Sequence, residues 1–335
     1  MGALTPRERV WLAVQHKETD FVPFHIFYTV PARVQLVAHF GTEDLERVSE
    51  NHIAKQRIRL PDVEVQPGHW RDEYGVVWNR TLDKDVGVVE DYLLNNRSLK
   101  DLDLPAPDDP LRLQTFERFV RDNPDRFRLV SLSNALFERA WSLRGMENLM
   151  IDMIEAPEFV DELLDYITDY HLREIDVALR YDIDGISISD DWGAQTGLLF
   201  GPRLWRKFIK PRIAKMYARI KEAGKAAFTH SCGKVQSIFP DLIEIGLDVF
   251  NPFQPEVMDV YEMKKQFGDR LAFFGGVGVQ SILPHGRPKE VRAEIYRLID
   301  EIGKGGGFII GPSHAMPGDI PIENMIAMIE AIHNQ

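Results

Sequence analysis

The chain has 335 residues, of which 44% are hydrophobic and 27% charged, and we expect one domain over residues 1–335 because α/β barrels of this length are common. Its formal net charge of −12 argues against nucleic acid as a partner, since an acidic surface repels phosphate. It has neither the run of about 20 apolar residues that a membrane helix needs nor an early apolar run typical of a signal peptide, so we expect a cytoplasmic protein without membrane contact.

The first half of the chain predicts a helical and hairpin elaboration around early strands. Thr5, Pro6 and Glu8 form the capping-box pattern that opens a helix. Residues 22–26 and 129–132 are short apolar runs that predict barrel strands. Two further runs, residues 74–78 and 86–90, predict a β-hairpin laid over the barrel. Helices are predicted at residues 145–154 and 157–180.

The second half has a regular alternation of strands and helices. Five short apolar runs follow one another, each succeeded by an amphipathic helical stretch; they are residues 183–188, 226–230, 248–252, 271–276 and 307–311. Continuous rather than alternating hydrophobicity is typical of parallel strands that are buried on both faces. Five such units in succession favour a parallel barrel. We therefore predict an α/β fold, a single (β/α)8 TIM barrel.

Polar side chains follow many of these strands. In a barrel of this kind the carboxyl ends of the strands surround one cavity, where catalysis takes place. The predicted convergence is the main evidence for function that the residues themselves provide. The polar residues at the strand ends are His25, Asn134, Glu138, Asp190, Asp191, His230, Cys232, Asn251, Gln254, Ser313 and His314.

His230 and Cys232 form a candidate metal site. Residues two apart at a strand end point the same way, so an imidazole and a thiolate there suit one zinc ion. Cys232 is the only cysteine, which excludes an intrachain disulfide and leaves the third ligand to another residue type. Ser313 and His314 are the candidates, with Glu138 or Asp190 behind them. The alternative is a buried histidine bonded to backbone beside a small apolar cysteine.

The adjacent carboxylates of Asp190 and Asp191 are candidates for substrate orientation or proton transfer. The alternative is that Asp191 caps a helix or loop while Asp190 faces solvent. His314 is a candidate acid, ligand or packing residue. Arg33 is a candidate for binding a carboxylate, although arginines on helix surfaces are commoner.

These motifs together resemble the uroporphyrinogen decarboxylase superfamily, including its zinc-dependent, corrinoid-linked methyltransferase branch. The resemblance is strong from about Leu129 to the end and loose before it. The segments that carry it are Phe137 to Trp141, Leu143 to Met146, Asp190 to Gly193 with Pro202 and Pro211, His230 to Lys234, Asn251 to Pro255, Gly275-Gly276, Gly311 to His314, and Pro321 to Asn324.

The resemblance implies a (β/α)8 barrel and leaves two activities to compare. Decarboxylases of the family hold the porphyrinogen carboxylates with an arginine-rich segment, whereas the equivalent residues 27–33 keep at most Arg33. The methyltransferase branch binds zinc with a His-x-Cys pair, matched by His230 and Cys232, and a distant cysteine. That cysteine falls at Ser313, so this chain departs from the pattern and puts its third ligand in doubt.

We therefore expect a methyltransferase in which His230, Cys232 and either His314 or Ser313 hold Zn²⁺ as a Lewis acid. Asp190, Asp191, Glu138 and His314 are the expected catalytic residues, and His25, Arg33, Asn251 and Gln254 the expected substrate-binding residues. Expected partners are a small methyl donor or acceptor, a corrinoid protein and a second copy in a homodimer. Decarboxylation of a porphyrinogen or smaller carboxylated substrate, and a catalytically inactive ligand-binding barrel, are the alternatives.

Overall fold

The structure, a computed structural model, describes residues 4–100 and 102–335. Its α-helices are α1 (Pro6–Val14), α2 (Val30–Phe40), α3 (Leu45–Ser49), α4 (Pro110–Asp122), α5 (Phe137–Arg144), α6 (Met146–Glu155), α7 (Pro157–Ala178), α8 (Gly201–Leu204), α9 (Lys210–Glu222), α10 (Phe239–Glu244), α11 (Val260–Phe267), α12 (Ile282–His285), α13 (Pro288–Leu298) and α14 (Ile322–His333). Its strands are β1 (Ile53–Arg57), β2 (Val63–Gln66), β3 (His69–Arg71), β4 (Val77–Asn79), β5 (Val88–Val89), β6 (Phe127–Leu132), β7 (Gly185–Ser189), β8 (Gly193–Ala194), β9 (Gly197–Leu198), β10 (Ala226–His230), β11 (Val249–Phe253), β12 (Ala272–Val277) and β13 (Phe308–Pro312).

Seven parallel strands form the wall of the barrel, in the order β1-β6-β7-β10-β11-β12-β13. The five strands from β7 onward, other than the short pair β8 and β9, match the five apolar runs of the second half of the chain. Their side chains are almost entirely buried, as expected for strands covered by helices outside and by the barrel core inside. The predicted α/β barrel fold is confirmed.

A short segment, residues 24–28, closes the ring between β13 and β1. On one side His25 N–H donates to the carbonyl of Ile310 at 3.0 Å, and on the other His52 N–H donates to the carbonyl of Phe24 at 3.1 Å. Beyond that point the side chain of Asn51 takes the place of a strand partner: its Oδ1 accepts from Ile26 N–H at 2.6 Å and its Nδ2 donates to Ile26 O at 3.0 Å. The predicted first strand is therefore present as a lightly bonded segment.

Helix α1 covers the amino-terminal end of the barrel. The predicted capping box is formed, because Glu8 N–H donates to Thr5 Oγ1 at 3.2 Å and Thr5 N–H donates to Glu8 Oε2 at 2.7 Å. Val10, on the inner face of the helix, is fully buried in a cluster with Phe127 and Phe228 from the barrel interior. This end of the barrel is thus filled by apolar side chains, which leaves the opposite end for a ligand.

An antiparallel sheet, in the order β2-β3-β4-β5, lies in the connection between β1 and β6. The predicted hairpin is confirmed by the pairing of Trp78 with Val89. Two strands of this sheet, β2 and β3, were not predicted, because the two valines of β2, Val63–Gln66, alternate with polar residues over only four positions and the whole strand is exposed. Strand β1 was also missed, since Lys55 and Arg57 interrupt its apolar pattern.

None of the helices in the described ranges combines the length and the apolar composition that crossing a bilayer requires.

Candidate active site at the carboxyl ends of the strands

A cavity of about 810 Å³ opens at the carboxyl ends of the strands. Cys232, which follows β10, lines one side of the cavity, and His314, which follows β13, lines another. Gln254, at the end of β11, also lines it. Three of the polar strand ends singled out in the sequence therefore meet around one space, where ligands of parallel barrels bind.

His230, Cys232 and His314 form a compact cluster of potential metal ligands. One nitrogen of each imidazole and the thiol sulfur all lie within 4.8 Å of one another. Cys232 Sγ is 3.4 Å from His230 Nε2, and the two imidazole rings are 5.5 Å apart between centroids. Two imidazole nitrogens and a thiolate are donors that zinc accepts readily, so the residues present fit this metal.

Asn251 orients the His230 ring. Its Oδ1 lies 2.6 Å from His230 Nδ1, while its Nδ2 donates to the carbonyl of Phe274 at 2.9 Å. The second bond fixes which end of the amide is the acceptor, so His230 Nδ1 carries the hydrogen and Nε2 keeps its lone pair toward Cys232. Asn251, expected to bind substrate, is hydrogen-bonded to His230 and is suited to position its ring.

Both histidines of the cluster are neutral near pH 7. Burial is the main cause that lowers the pKa of His230 below its ordinary value, and burial with the nearby His230 lowers that of His314 to about 4. Burial raises the pKa of the Cys232 thiol, and the Asp191 carboxylate adds to the effect. A protonated thiol is thus the stable form without a metal, and metal binding would displace its proton.

Asp191 holds the loop that carries Cys232. Its Oδ1 accepts from Cys232 N–H at 2.8 Å and lies 4.0 Å from His230 Nε2. The loop also packs directly on the chain after Asp191: a Cβ on Gly233, whose φ is +86°, would lie 2.4 Å from the backbone of Gly193. Only glycine allows this approach, so the two loops hold Cys232 and Asp191 together.

Asp190 has a different environment from its neighbour. It is fully buried, and its Oδ1 accepts from the N–H groups of Leu136 and Glu138 at 3.0 and 2.8 Å. Its Oδ2 accepts from Phe137 N–H at 3.0 Å and from the Trp192 indole at 2.5 Å. These bonds satisfy the free N–H groups at the start of α5. The geometry favours a structural role, which reverses the alternative in which Asp191 caps and Asp190 faces solvent.

Glu138 lies beside Asp191 at the start of α5. Burial is the main cause that raises its pKa well above the ordinary value, and the carboxylates of Asp191 and Asp190 add to the effect. These surroundings favour the protonated form of the carboxyl group. It is therefore suited to donate a proton or a hydrogen bond, as its predicted catalytic role requires.

Ser313 and Gln254 are bonded to backbone groups near the cluster. Ser313 is fully buried, and its Oγ accepts from Val279 N–H at 3.3 Å. His314, next in the chain, supplies the third donor of the cluster. Gln254 Oε1 accepts from Gly233 N–H at 3.0 Å, which fixes the Cys232 loop from the side of β11.

Arg33 and His25 lie away from the cluster. Arg33, on α2, forms an ion pair with Glu43 at 2.7 Å and is not among the described residues that line the cavity. His25 is buried deeper in the barrel, stacked on Phe27 with 5.7 Å between ring centroids. It lines a second cavity of about 460 Å³ together with Lys55. The structure thus does not bring these two expected substrate-binding residues to the metal cluster.

Two cationic residues inside the barrel were not predicted from the sequence. Lys55 Nζ lies 5.3 Å from the ring centroids of both Phe27 and Phe274. Arg57, two residues further along β1, lines a small cavity with Ser133 and Asn134. The alternation of charged with other residues in Ile53–Arg57 was the available signal, but it was overlooked because buried barrel strands are expected to be apolar throughout.

A profile of the uroporphyrinogen decarboxylase (URO-D) family matches residues 80–335. The chain belongs to the uroporphyrinogen decarboxylase family. It is 24% identical over 192 residues to methylcobamide:CoM methyltransferase MtaA of Methanosarcina barkeri, covering 57% of this chain and 54% of that protein. It is also 24% identical over 201 residues to uroporphyrinogen decarboxylase of Methylococcus capsulatus, covering 57% and 53%.

Relatives of this uroporphyrinogen decarboxylase family member therefore include enzymes of both kinds, and the chain spans about half the length of the curated relatives it matches. A solved structure of a methyltransferase from Methanosarcina mazei superimposes with a TM-score of 0.75, at 18% identity and over 99% of each chain. At this identity the likeness establishes the barrel fold.

Proposed function

We propose that this protein is a zinc-dependent methyltransferase that moves a methyl group between a small molecule and a corrinoid protein. The observation that carries the proposal is the cluster of His230, Cys232 and His314, whose ligand atoms lie within 4.8 Å of one another. Two of these residues line the 810 Å³ cavity, so a metal held there would meet a bound substrate. Methyltransferases among the relatives support the same choice.

His230, Cys232 and His314 would hold the zinc ion, and three protein ligands are the number that catalytic zinc sites use. Bound zinc supplies Lewis-acid chemistry that polarises or deprotonates a substrate group. Asn251 keeps the Nε2 lone pair of His230 facing the site, and Asp191 holds the Cys232 loop through Cys232 N–H. Glu138 lies beside Asp191, and burial favours its protonated form by raising its pKa.

Metal analysis tests the ligand set. We expect about one zinc per chain in the purified protein, because neutral imidazoles and a thiolate bind zinc tightly at pH 7. Cys232→Ala and His314→Ala should each lose most of the zinc, whereas Ser313→Ala, which removes a hydroxyl bonded to Val279 N–H, should keep it. A folded wild-type protein without metal, or zinc content unaffected by Cys232→Ala, would contradict the proposal.

Uroporphyrinogen decarboxylation is the alternative activity, favoured by the decarboxylase relatives. Arg33, the one arginine of the segment expected to hold the porphyrinogen, is paired with Glu43, which weighs against a substrate with eight carboxylates. The two activities are separated by incubating the protein with methylcobalamin and a thiol, and anaerobically with uroporphyrinogen III. Formation of coproporphyrinogen would favour the alternative. Saturable corrinoid or porphyrin binding without turnover would indicate an inactive ligand-binding barrel.

A further inference from the structure

Helix α6 is apolar on two opposite faces. On its inner face, Leu149 and Met153 are buried against the rest of the protein. On its outer face, Met146, Ile151 and Ile154 are 37%, 43% and 62% exposed. From β6 to the end of the chain, only one other large apolar side chain is exposed. Because a helix that is apolar on both faces is normally covered on both, the outer face of α6 is suited to a partner outside the described chain.

The outer face consists of two parallel rows of side chains. Residues four positions apart lie one above another on a helix and form a ridge. A shallow groove of about 710 Å³ lies along these ridges, and all the described residues that line it belong to α6. Each ridge is about 12 Å long, since a helix rises about 1.5 Å per residue. The apolar ridge is Met146, Met150 and Ile154, and the mixed ridge is Glu147, Ile151 and Glu155.

The shape of this groove fits another helix. Two helices pack by inserting a ridge of one into the groove between two ridges of the other, and ridges with a spacing of four residues give a crossing angle of about −50°. A partner ridge of branched apolar side chains would contact Met150 and Ile151 at the middle of the groove. Methionine is unbranched and adapts to neighbours of varied shape. A helix with one apolar ridge is therefore the occupant that the groove accepts.

Charge distinguishes a second copy of this chain from a different protein as the partner. Glu147 and Glu155 lie at the two ends of the mixed ridge, and no lysine or arginine is among the described residues that line the groove. Arg97 and Arg144 both bind Asp152, on the buried side of α6. Two copies of α6 packed together would bring four carboxylates near one another without a cation, which is unfavourable, whereas basic residues on a partner helix would be attracted.

We propose that the outer face of α6 docks an amphipathic helix of a partner protein, in which lysine or arginine residues flank an apolar ridge. The apolar ridge would cover Met150 and Ile151, and the basic residues would pair with Glu147 and Glu155, as in other complexes in which a helix binds a groove. None of the residues that line this groove lines the cavity of the candidate active site. The inference therefore does not depend on the proposed function.

A synthetic helix tests the apolar part of the site. A fluorescein-labelled peptide of repeated Lys-Leu-Leu-Ala units has a lysine ridge beside leucine ridges, and fluorescence anisotropy measures its binding to the full chain. We expect saturable binding that weakens about tenfold or more in the double variant Met150→Ser with Ile154→Ser, because contact area at the centre of the interface is lost. Val30→Ser with Val34→Ser removes two exposed valines of α2; it is the matched control and should bind the peptide as the wild type does.

A second peptide tests the charges. A peptide of repeated Glu-Leu-Leu-Ala units should bind the wild type about tenfold or more weakly, because attraction to the acidic residues becomes repulsion. Glu147→Gln with Glu155→Gln should reduce this preference for the lysine peptide. Glu117→Gln with Glu222→Gln, which removes two exposed carboxylates from α4 and α9, should keep the preference.

Binding of the lysine peptide that survives in Met150→Ser with Ile154→Ser would overturn the docking site, and so would a natively folded wild type that does not bind it. Equal binding of the two peptides would overturn the basic character of the partner. Sedimentation velocity tests the other occupant. A wild-type dimer that Met150→Ser with Ile154→Ser converts to a monomer would show that a second copy covers α6, against the proposal.

Discussion

Asp190 and Asp191 are neighbours in the chain but have opposite environments. The buried carboxylate of Asp190 accepts four hydrogen bonds at the start of α5, whereas the Asp191 side chain is 37% exposed and faces His230. The sequence left both carboxylates as candidates for the cavity, with the alternative that Asp191 caps a helix or loop while Asp190 faces solvent. Which of the two aspartates is buried depends on where the start of α5 packs. Two adjacent residues of the same type do not reveal this in the sequence.

Asp190→Asn should destabilise the protein. The amide nitrogen cannot accept a hydrogen bond, so at least one of the buried donors around Asp190 loses its partner, and we expect the free energy of unfolding to fall by about 2–4 kcal/mol. Asp191→Asn is the matched control and should cost about 1 kcal/mol or less, because its remaining oxygen still accepts from Cys232 N–H. Urea denaturation measures both. Equal losses would show that Asp190 does not cap the helix.

Asn251→Ala should weaken zinc binding without removing a ligand. Without the Asn251 Oδ1 acceptor, which lies 2.6 Å from His230 Nδ1, the ring loses its fixed orientation, and second-shell losses of this kind lower metal affinity about 10–100-fold. Competition with a chromophoric chelator measures the affinity. Gln254→Ala, which removes a bond to Gly233 N–H, should have a smaller effect. An unchanged affinity of Asn251→Ala would mean that His230 is not a ligand.

At the scale of elements, a buried ion cluster connects the antiparallel sheet to the helices outside the barrel. Arg112 of α4 lies 2.5 Å from Glu73, which follows β3, and 3.3 Å from Glu174 of α7. All three side chains are at most 4% exposed. One guanidinium therefore faces two carboxylates and balances the charge of only one of them, and burial together with the Glu174 charge raises the pKa of Glu73 to about 7.

This raised pKa predicts a dependence of stability on pH. The folded-state pKa of Glu73 lies above its ordinary value of 4.5, so between about pH 4.5 and 7 the folded protein binds more protons than the unfolded chain. Its free energy of unfolding then falls as pH rises through this window. Relative to Glu73→Gln, the wild type should lose about 1–3 kcal/mol between these pH values. Denaturation at several pH values measures the difference.

The control for this experiment is Glu155→Gln, which changes an exposed glutamate on α6 and should track the wild type at every pH. A constant difference in stability between wild type and Glu73→Gln across the window would contradict the raised pKa of Glu73.

The strands that could be predicted from the sequence are those whose residues are almost all buried, on both faces of the strand. Strands such as β10, Ala226–His230, are buried on both faces, so their residues form a continuous apolar run. Strand β1 was missed because Lys55 and Arg57 line cavities instead of packing in an apolar core. The departure from the apolar pattern therefore comes from the residues of the strand that face open space.

At the scale of the whole molecule, the proposed metal ligands come from two distant parts of the chain. His230 and Cys232 belong to β10 and the loop after it, while His314 follows β13. The sequence predicted these ligands as candidates, but choosing between Ser313 and His314 needed the barrel geometry. A metal bound to all three residues connects two segments of the folded barrel. Because the three residues are close together only in the folded state, the metal binds the folded chain more tightly than the unfolded one.

Zinc should therefore stabilise the entire fold. At a free zinc concentration about 100 times the dissociation constant, linkage predicts about 2.7 kcal/mol of added stability, or a rise of roughly 4 °C in Tm for a chain of this size. Differential scanning calorimetry with and without a chelator measures the shift. Mg²⁺, which prefers oxygen ligands, should give no shift, and His314→Ala should abolish the response to zinc. A Tm unaffected by zinc in the wild type would contradict metal binding at this cluster.

The hydrogen bonding between neighbouring segments of the barrel wall is not the same all the way round. Strands β1, β6, β7 and β10 to β13 form a continuous ladder, whereas residues 24–28 are joined to the residues just before β1 by the bond from His52 N–H to Phe24 O and by the Asn51 side chain. The continuous ladder carries the strands that end at the candidate metal ligands, whereas residues 24–28 carry Phe27, whose ring centroid lies 6.4 Å from that of His314. A change of side chain at Phe27 can therefore alter the space beside His314 without breaking a bond of the strand ladder.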